Sequence, residues 1–256
     1  MLFDSHSHTA FSADSEMQAE AAIEAAETKG IGLVFTEHLD FDFPGEEDFV
    51  FDPEQYWNAY ESFRGETLRL GVEVGLEAAA HDRVPTFLQK APFDLVIGSI
   101  HLLEHHDLYY KDYYAGKTKE EVFHRYFQTM AGEVRAFDAF DVLGHIDYIA
   151  RYATYENPEI EYGVYHDDID AVLRAVIETG RVLELNTRRL GERRALKELV
   201  PVYARYHELG GRYVTLGSDA HTPDAIGANF ARARELAEQM GLSVVTFAGR
   251  EMELCK

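Results

Sequence analysis

Residues 1–10 read Met1-Leu2-Phe3-Asp4-Ser5-His6-Ser7-His8-Thr9-Ala10, a short apolar run leading into two histidines one residue apart. In an extended chain successive side chains point to opposite faces, so His6 and His8 share a face. Two imidazoles side by side at the end of a buried strand make half of a metal site, and imidazole suits zinc, iron, manganese and their neighbours. The pattern predicts that the rest of the chain brings further ligands to this pair.

Outward from this stretch, short apolar runs alternate with amphipathic ones, which is the rhythm of a parallel sheet or barrel. LFDSH is the first strand. IGLVFTEH (31–38), RLGVEVGLEA (69–78), DLVIGSIH (94–101), FDVLGHID (140–147), RVLELNT (181–187) and YVTLGSDAH (213–221) follow. SVVTFAG (243–249) is a candidate edge strand. Helix starts stand between them. Ser15-Glu16-Met17-Gln18 reads as a capping box, with the helix stopping at Gly30. Asp52-Pro53 places proline at a first helical position, and Thr118-Lys119-Glu120-Glu121 reads as a second capping box. With no internal repeat or linker, residues 1–256 read as one domain, a usual size for a barrel of this kind.

Composition narrows the partners. With 24 Lys and Arg against 46 Asp and Glu, the net charge is −22. This argues against nucleic acid and anionic membrane surfaces, which demand clustered cations. An anionic substrate would need local cations. The one cysteine, Cys255, permits no internal disulfide and no thiolate zinc site. No signal peptide or membrane span is evident, and the expectation is a cytoplasmic protein.

The histidines decide the reading. Six of the twelve fall where strands end: His6 and His8, His38 in TEH, His101 in GSIH, His145 in GHID and His221 in GSDAH. Glu77 in GLEA and Asp219 in GSDAH fall at equivalent positions. Glu73 shares a strand face with Glu77, but Glu77 lies nearer the end and is favoured. Asp14, in the loop after the first strand, is a candidate ligand or a cap. In a parallel barrel the C-terminal strand ends converge on one mouth, where such barrels do chemistry. Nine such groups exceed the needs of one or two metals.

DSHSH, FTEH, GLEA, GSIH, VLGHIDYIARY, LELNT and GSDAH together resemble the PHP (polymerase and histidinol phosphatase) family of metal-dependent phosphoesterases along nearly the whole chain. The resemblance implies a distorted (β/α)7 barrel holding three divalent ions of zinc, iron or manganese. It implies that His6, His8, Glu77 and Asp219 hold one metal. Glu77 would bridge to a second held by His101 and His145. Asp14, His38 and His221 would hold a third, with Asp14 where many relatives have histidine. It assigns catalysis to Glu77 and Asp219 and phosphate binding to Arg151 and Arg188, with Arg189, Arg193 and Arg194 competing for the second place. VLGHIDYIARY, LELNT and the Tyr-rich stretch after GSIH are nearest the subgroup that acts on histidinol phosphate. The expected reaction is therefore hydrolysis of that small phosphate ester to inorganic phosphate by a metal-activated water.

Asp40, Asp42 and Glu104 are candidates to meet a cationic substrate tail, and Tyr109, Tyr110, Tyr113 and Tyr114 a lid or simple packing. Another phosphoesterase substrate, an amide-hydrolysing barrel and a non-catalytic metal-binding domain are the rival readings. The amide hydrolase has no joint use for Glu77, His38 and His221.

Overall fold

The apolar runs become seven parallel strands in a computed structural model that describes residues 1–255. They are β1 (Phe3–Asp4), β2 (Gly32–Leu39), β3 (Leu68–Gly75), β4 (Leu95–Ser99), β7 (Val142–Leu143), β8 (Val182–Asn186) and β9 (Tyr213–Gly217). A small antiparallel hairpin, β5 (Leu102–Leu103) and β6 (His106–Asp107), follows β4, with Glu104 and His105 at its turn. β1 pairs with β2 in parallel. On its other side the same segment meets the chain at the end of β9, through Ser5 N–H to Leu216 O and Asp219 N–H to His6 O, each 2.8 Å. The sheet thus comes round on itself as a distorted (β/α)7 barrel.

Helices α1 (Ala19–Lys29), α2 (Pro53–Tyr60), α4 (Lys119–Ala136), α6 (Tyr162–Glu178), α7 (Arg193–Glu208) and α8 (Phe230–Gln239) connect the strands. Short helices α3 (Val84–Leu88) and α5 (Tyr148–Tyr152) lie near the strand ends. Local chemistry explains the starts. The Asp52 carboxylate accepts from Glu54 N–H and Gln55 N–H at α2. Thr118 and Glu121 exchange both bonds of a capping box at α4. The box expected at Ser15 does not form. The Ser15 hydroxyl donates to His8 O at 3.1 Å, and α1 starts later, after Gln18. That serine fastens the first loop to the histidine pair rather than capping a helix.

The lower end of the barrel is closed by the C-terminal hairpin β10 (Ser243–Ala248) and β11 (Glu251–Leu254). Val245 and Phe247 join Phe3, Val34, Leu95, Ile97, Val142 and Val182 in a buried apolar cluster. No helix among the described residues is long and apolar enough to cross a membrane.

Candidate metal centre and active site

Eight of the nine expected ligands converge at the upper strand ends; Glu77 does not. β3 ends at Gly75, and Glu77 lies beyond it, leading into a 3-10 turn with its carboxylate 3.4 Å from His105 Nδ1. The residue at the centre is Glu73, which is fully buried and pairs in register with His38 of β2. Side chains two apart share a face, so residue type could not separate Glu73 from Glu77. Strand register does.

Glu73 Oε2 lies 3.2 Å from His6 Nε2 and 3.6 Å from His8 Nε2. Asp219 Oδ1 lies 3.9 and 3.5 Å from the same two nitrogens. Ligands about 2.0–2.2 Å from a tetrahedral ion sit roughly 3.3–3.6 Å apart, so these atoms have the spacing of one coordination shell. The other oxygen, Glu73 Oε1, lies 3.3 Å from His101 Nε2 and 2.9 Å from His145 Nε2. Asp14 Oδ2 lies 3.5 Å from His38 Nε2 and 3.1 Å from His221 Nε2. His6 Nε2, His8 Nε2, His38 Nδ1, Glu73 Oε2, His101 Nε2 and His145 Nδ1 are buried with no hydrogen-bond partner. Leaving six such atoms unsatisfied in one place is costly, and cations meet the need. The donor set fits divalent metals.

The outward-facing ring nitrogens are fixed. His6 Nδ1 donates to Glu184 Oε1 at 2.7 Å, and His101 Nδ1 to Asp40 at 3.0 Å. His8 Nδ1 donates to the Ser12 hydroxyl, which in turn donates to Glu37. His221 Nδ1 donates to Asp219 O. Carboxylates and carbonyls only accept, so each bond holds the proton on Nδ1 and presents Nε2 as a ligand. Two glycines make room for this support. A Cβ at Gly75 would lie 2.0 Å from Asp40 Oδ1, and one at Gly217 2.0 Å from Glu184 Oε1. Asp4 is no ligand: its carboxylate accepts from Ser218 N–H, Ser218 Oγ and Gly227 N–H, which sets the loop carrying Asp219. Asp219 itself has left-handed backbone, φ 54°, a conformation that costs energy and is common at functional sites.

At His6 and His101 the electrostatics favour positive charge, whereas burial, with His38 and His221 nearby, holds His8 well below the ordinary imidazole range. Burial opposes charging of His6, yet Glu73, Glu184 and Asp219 hold it well above the ordinary imidazole range. Burial likewise opposes charge on His101, and Asp40 and Glu73 outweigh it. Glu73 is held well below the usual carboxylate range, against burial, by His6, His101 and His38.

A cavity of 430 Å³ opens over this cluster. Arg151 lines it, buried, with one guanidinium nitrogen on Asp219 Oδ2 while Nε and Nη2 have no partner. Arg188 lines it too and donates to Asp219 O at 3.2 Å. Arg189 instead turns away to Asp147, Glu159 and Glu192. Arg193 and Arg194 are at the start of α7, outside the cavity lining. Tyr109 and Tyr110 line the cavity; Tyr113 and Tyr114 are buried in the insertion. Asp42 faces Arg83 and Glu104 faces Arg125, both at the surface, so neither serves as expected for a substrate tail.

The model of the PHP domain matches residues 4–188. The chain belongs to the PHP domain family. That match includes Glu73 and the histidines of β1 to β7 but not Asp219 or His221, which geometry adds. A probable histidinol-phosphatase of Clostridium acetobutylicum is 46% identical to this PHP chain over 253 residues, 99% of each. The histidinol-phosphatase of Lactococcus lactis is 30% identical, covering 98% of this chain and 96% of its own. A crystal structure of the histidinol phosphate phosphatase of that species, complexed with zinc, L-histidinol and phosphate, superposes with a TM-score of 0.93 over 98% of each chain, at 30% identity.

Proposed function

We propose that this chain is a metal-dependent phosphomonoesterase that hydrolyses L-histidinol phosphate to L-histidinol and inorganic phosphate, residues 1–256 acting as one catalytic unit. The observation that carries the reading is the set of six unpartnered buried His and Glu atoms at the strand ends, beside a cavity lined by Arg151, which has two unpartnered donors of its own. The relatives' activity and the ligands of the Lactococcus lactis enzyme supply the substrate.

Three divalent ions fit the donor set. His6, His8, Glu73 and Asp219 would hold the first. Glu73, His101 and His145 would hold the second, and Asp14, His38 and His221 the third. Nitrogen and carboxylate donors accept zinc, iron or manganese alike. When bound, such ions lower the pKa of a coordinated water and neutralise phosphate oxygens.

The chain's own residues do the rest. Arg151 lines the cavity, held by Asp219 with Nε and Nη2 unpartnered, and guanidinium donors of this shape grip two phosphate oxygens at once. Arg188 adds a second cation at the rim. Together they give a chain of net charge −22 a local anion site. Hydrolysis adds water's oxygen to phosphorus and breaks the ester P–O bond, and the departing alcohol gains a proton. Glu184, Asp40 and Ser12 hold His6, His101 and His8 in place throughout.

Purified protein supplied with zinc or manganese, given L-histidinol phosphate, is expected to release phosphate, and Arg151→Ala to lose at least 100-fold in kcat/KM. Faster turnover of phosphodiesters than of L-histidinol phosphate would overturn the reading.

A further inference from the structure

Hydrolysis of an alkyl phosphate expels an alkoxide, a poor leaving group unless it receives a proton as the P–O bond breaks. The groups that line the cavity narrow the choice of donor. Guanidinium groups do not release protons, which removes Arg151 and Arg188. The histidines of the lining belong to the ligand set, as do Asp14 and Asp219, and Asp40 is engaged with His101. Tyr109 and Tyr110 stand out on the insertion, 56% and 42% exposed, and Glu47 is on the exposed loop before α2. Asp107 accepts from Tyr109 N–H within its own hairpin. Tyr148 is placed differently from all of these.

Tyr148 is the first residue of α5, and its N–H donates to His145 O at 3.1 Å. Its ring centre lies 4.9 Å from that of His145 and 5.0 Å from that of His101. Side chains three apart on a helix are neighbours, and the Arg151 guanidinium carbon lies 5.3 Å from the Tyr148 ring centre. The Tyr152 ring, one turn on, packs against it at 5.2 Å. The start of α5 is pinned in turn, because Asp147 accepts from the buried Arg189 at 3.1 Å. One short helix thus sets a phenol beside both the arginine of the anion site and two of the metal-site histidines. The ring is held by these contacts, yet the hydroxyl takes no part in the described hydrogen bonds and is not sealed from solvent, and the residue lines the cavity. We infer that Tyr148 is a catalytic residue whose hydroxyl donates to the ester oxygen of the bound substrate and yields its proton there as the P–O bond breaks. The bond pair stays on the departing oxygen, which leaves as neutral alcohol. The attacking water gives up one proton on bonding to phosphorus, and that proton restores the phenol. This role rests on the phosphomonoesterase reading above and supplies the proton that the departing alcohol gains.

Tyr148→Phe removes the hydroxyl and keeps the ring against His101, His145 and Arg151. The metal-loaded enzyme is compared on L-histidinol phosphate and on p-nitrophenyl phosphate, whose leaving group departs without a proton. Single-turnover rates read the chemical step. The variant is expected to lose about 100-fold or more on L-histidinol phosphate, the scale of one general acid. It is expected to lose less than about fivefold on p-nitrophenyl phosphate, with KM for either ester changed by no more than about threefold. Across a series of aryl and alkyl phosphates, the rate is expected to fall more steeply with the pKa of the leaving alcohol in the variant than in wild type. Bound metal, read by elemental analysis, and inhibition by inorganic phosphate are expected to be unchanged. Equal losses on the two esters, no loss on L-histidinol phosphate, or loss of metal would overturn the assignment. So would a leaving-group-dependent loss in Asp107→Asn with none in Tyr148→Phe. A wild type inactive on L-histidinol phosphate, but hydrolysing another alkyl phosphate with the same dependence on Tyr148, would sink the substrate named above and keep the role of Tyr148.

Discussion

At the scale of single residues, Glu73 and Glu77 make the sharpest contrast. Glu73 presents both oxygens to five imidazoles, whereas Glu77 meets only the exposed His105. Glu73→Gln is expected to lower activity by roughly 1000-fold or more and bound metal with it, because a bridging carboxylate cannot be replaced by an amide that is neutral. Glu77→Gln is expected to stay within about threefold of wild type. Activity assays beside elemental analysis separate the two, and a Glu77 variant that loses metal would contradict the assignment. The other eight proposed ligands were legible because, Asp14 in its loop apart, each histidine or aspartate follows an apolar run in a motif. Glu73 lies inside its run, and only the pairing of His38 with Glu73 across β2 and β3 reveals its level. The supporting carboxylates were hidden for a related reason. Glu184 lies inside LELN and looks like any strand residue until His6, far away in sequence, is seen against it. Glu184→Gln leaves a neutral group facing His6 Nδ1 and is expected to weaken metal binding by about 10–100-fold, read from zinc titration of stripped protein.

Among the elements, the strand and helix rhythm was readable from hydrophobic period and turn chemistry; β10 was anticipated as an edge strand, but it lies between β9 and β11, and β11 takes the edge. β11 was not anticipated, because Glu251–Leu254 is exposed throughout and presents no apolar run. Its place is fixed by contacts distant in sequence. Asp94, at the start of β4, accepts from Arg64 Nε and Nη2 at 2.8 and 2.6 Å, from Leu70 N–H, and from Gly249 N–H in the β10–β11 turn. One carboxylate therefore ties the closing hairpin to the barrel. Burial alone would raise its pKa, but Arg64 and the amide donors hold it below the usual carboxylate range. A depressed folded value contributes stability above the unfolded pKa of about 3.9, lost as pH falls through the folded value. Asp94→Asn is expected to destabilise by about 2 kcal/mol at pH 7, a fall in Tm of roughly 4–8 °C. The difference between variant and wild type should shrink below about pH 4. Melting curves at pH 7 and pH 3 check this, and a gap that is the same at both would remove Asp94 from the role.

For the molecule as a whole, the barrel is closed at one end and open at the other, and this grades the three ligand groups. His6, His8 and Glu73 are fully buried beneath the mouth. Asp14, His38 and His221 line its rim, and the side chains of Asp14 and His221 are 42% and 21% exposed. Water and a competing chelator reach the rim group first, and Asp14 must be held in place by a loop rather than a strand. The inner groups cannot empty without leaving buried carboxylates and imidazoles facing one another unshielded. Metal loss is therefore expected in two stages. Mild chelation should remove about one equivalent per chain and change Tm by no more than a few degrees. Removal of the remainder should lower Tm by about 10 °C or more, since an ion bound to the folded state alone stabilises it in proportion to the logarithm of its affinity. Asp14→Ala should abolish the first stage and leave the second intact. Elemental analysis along a chelator titration, with Tm recorded at each point, gives both quantities on one sample. Simultaneous loss of all metal in a single step, in wild type and variant alike, would show that the three groups act as one and that exposure at the rim does not order them.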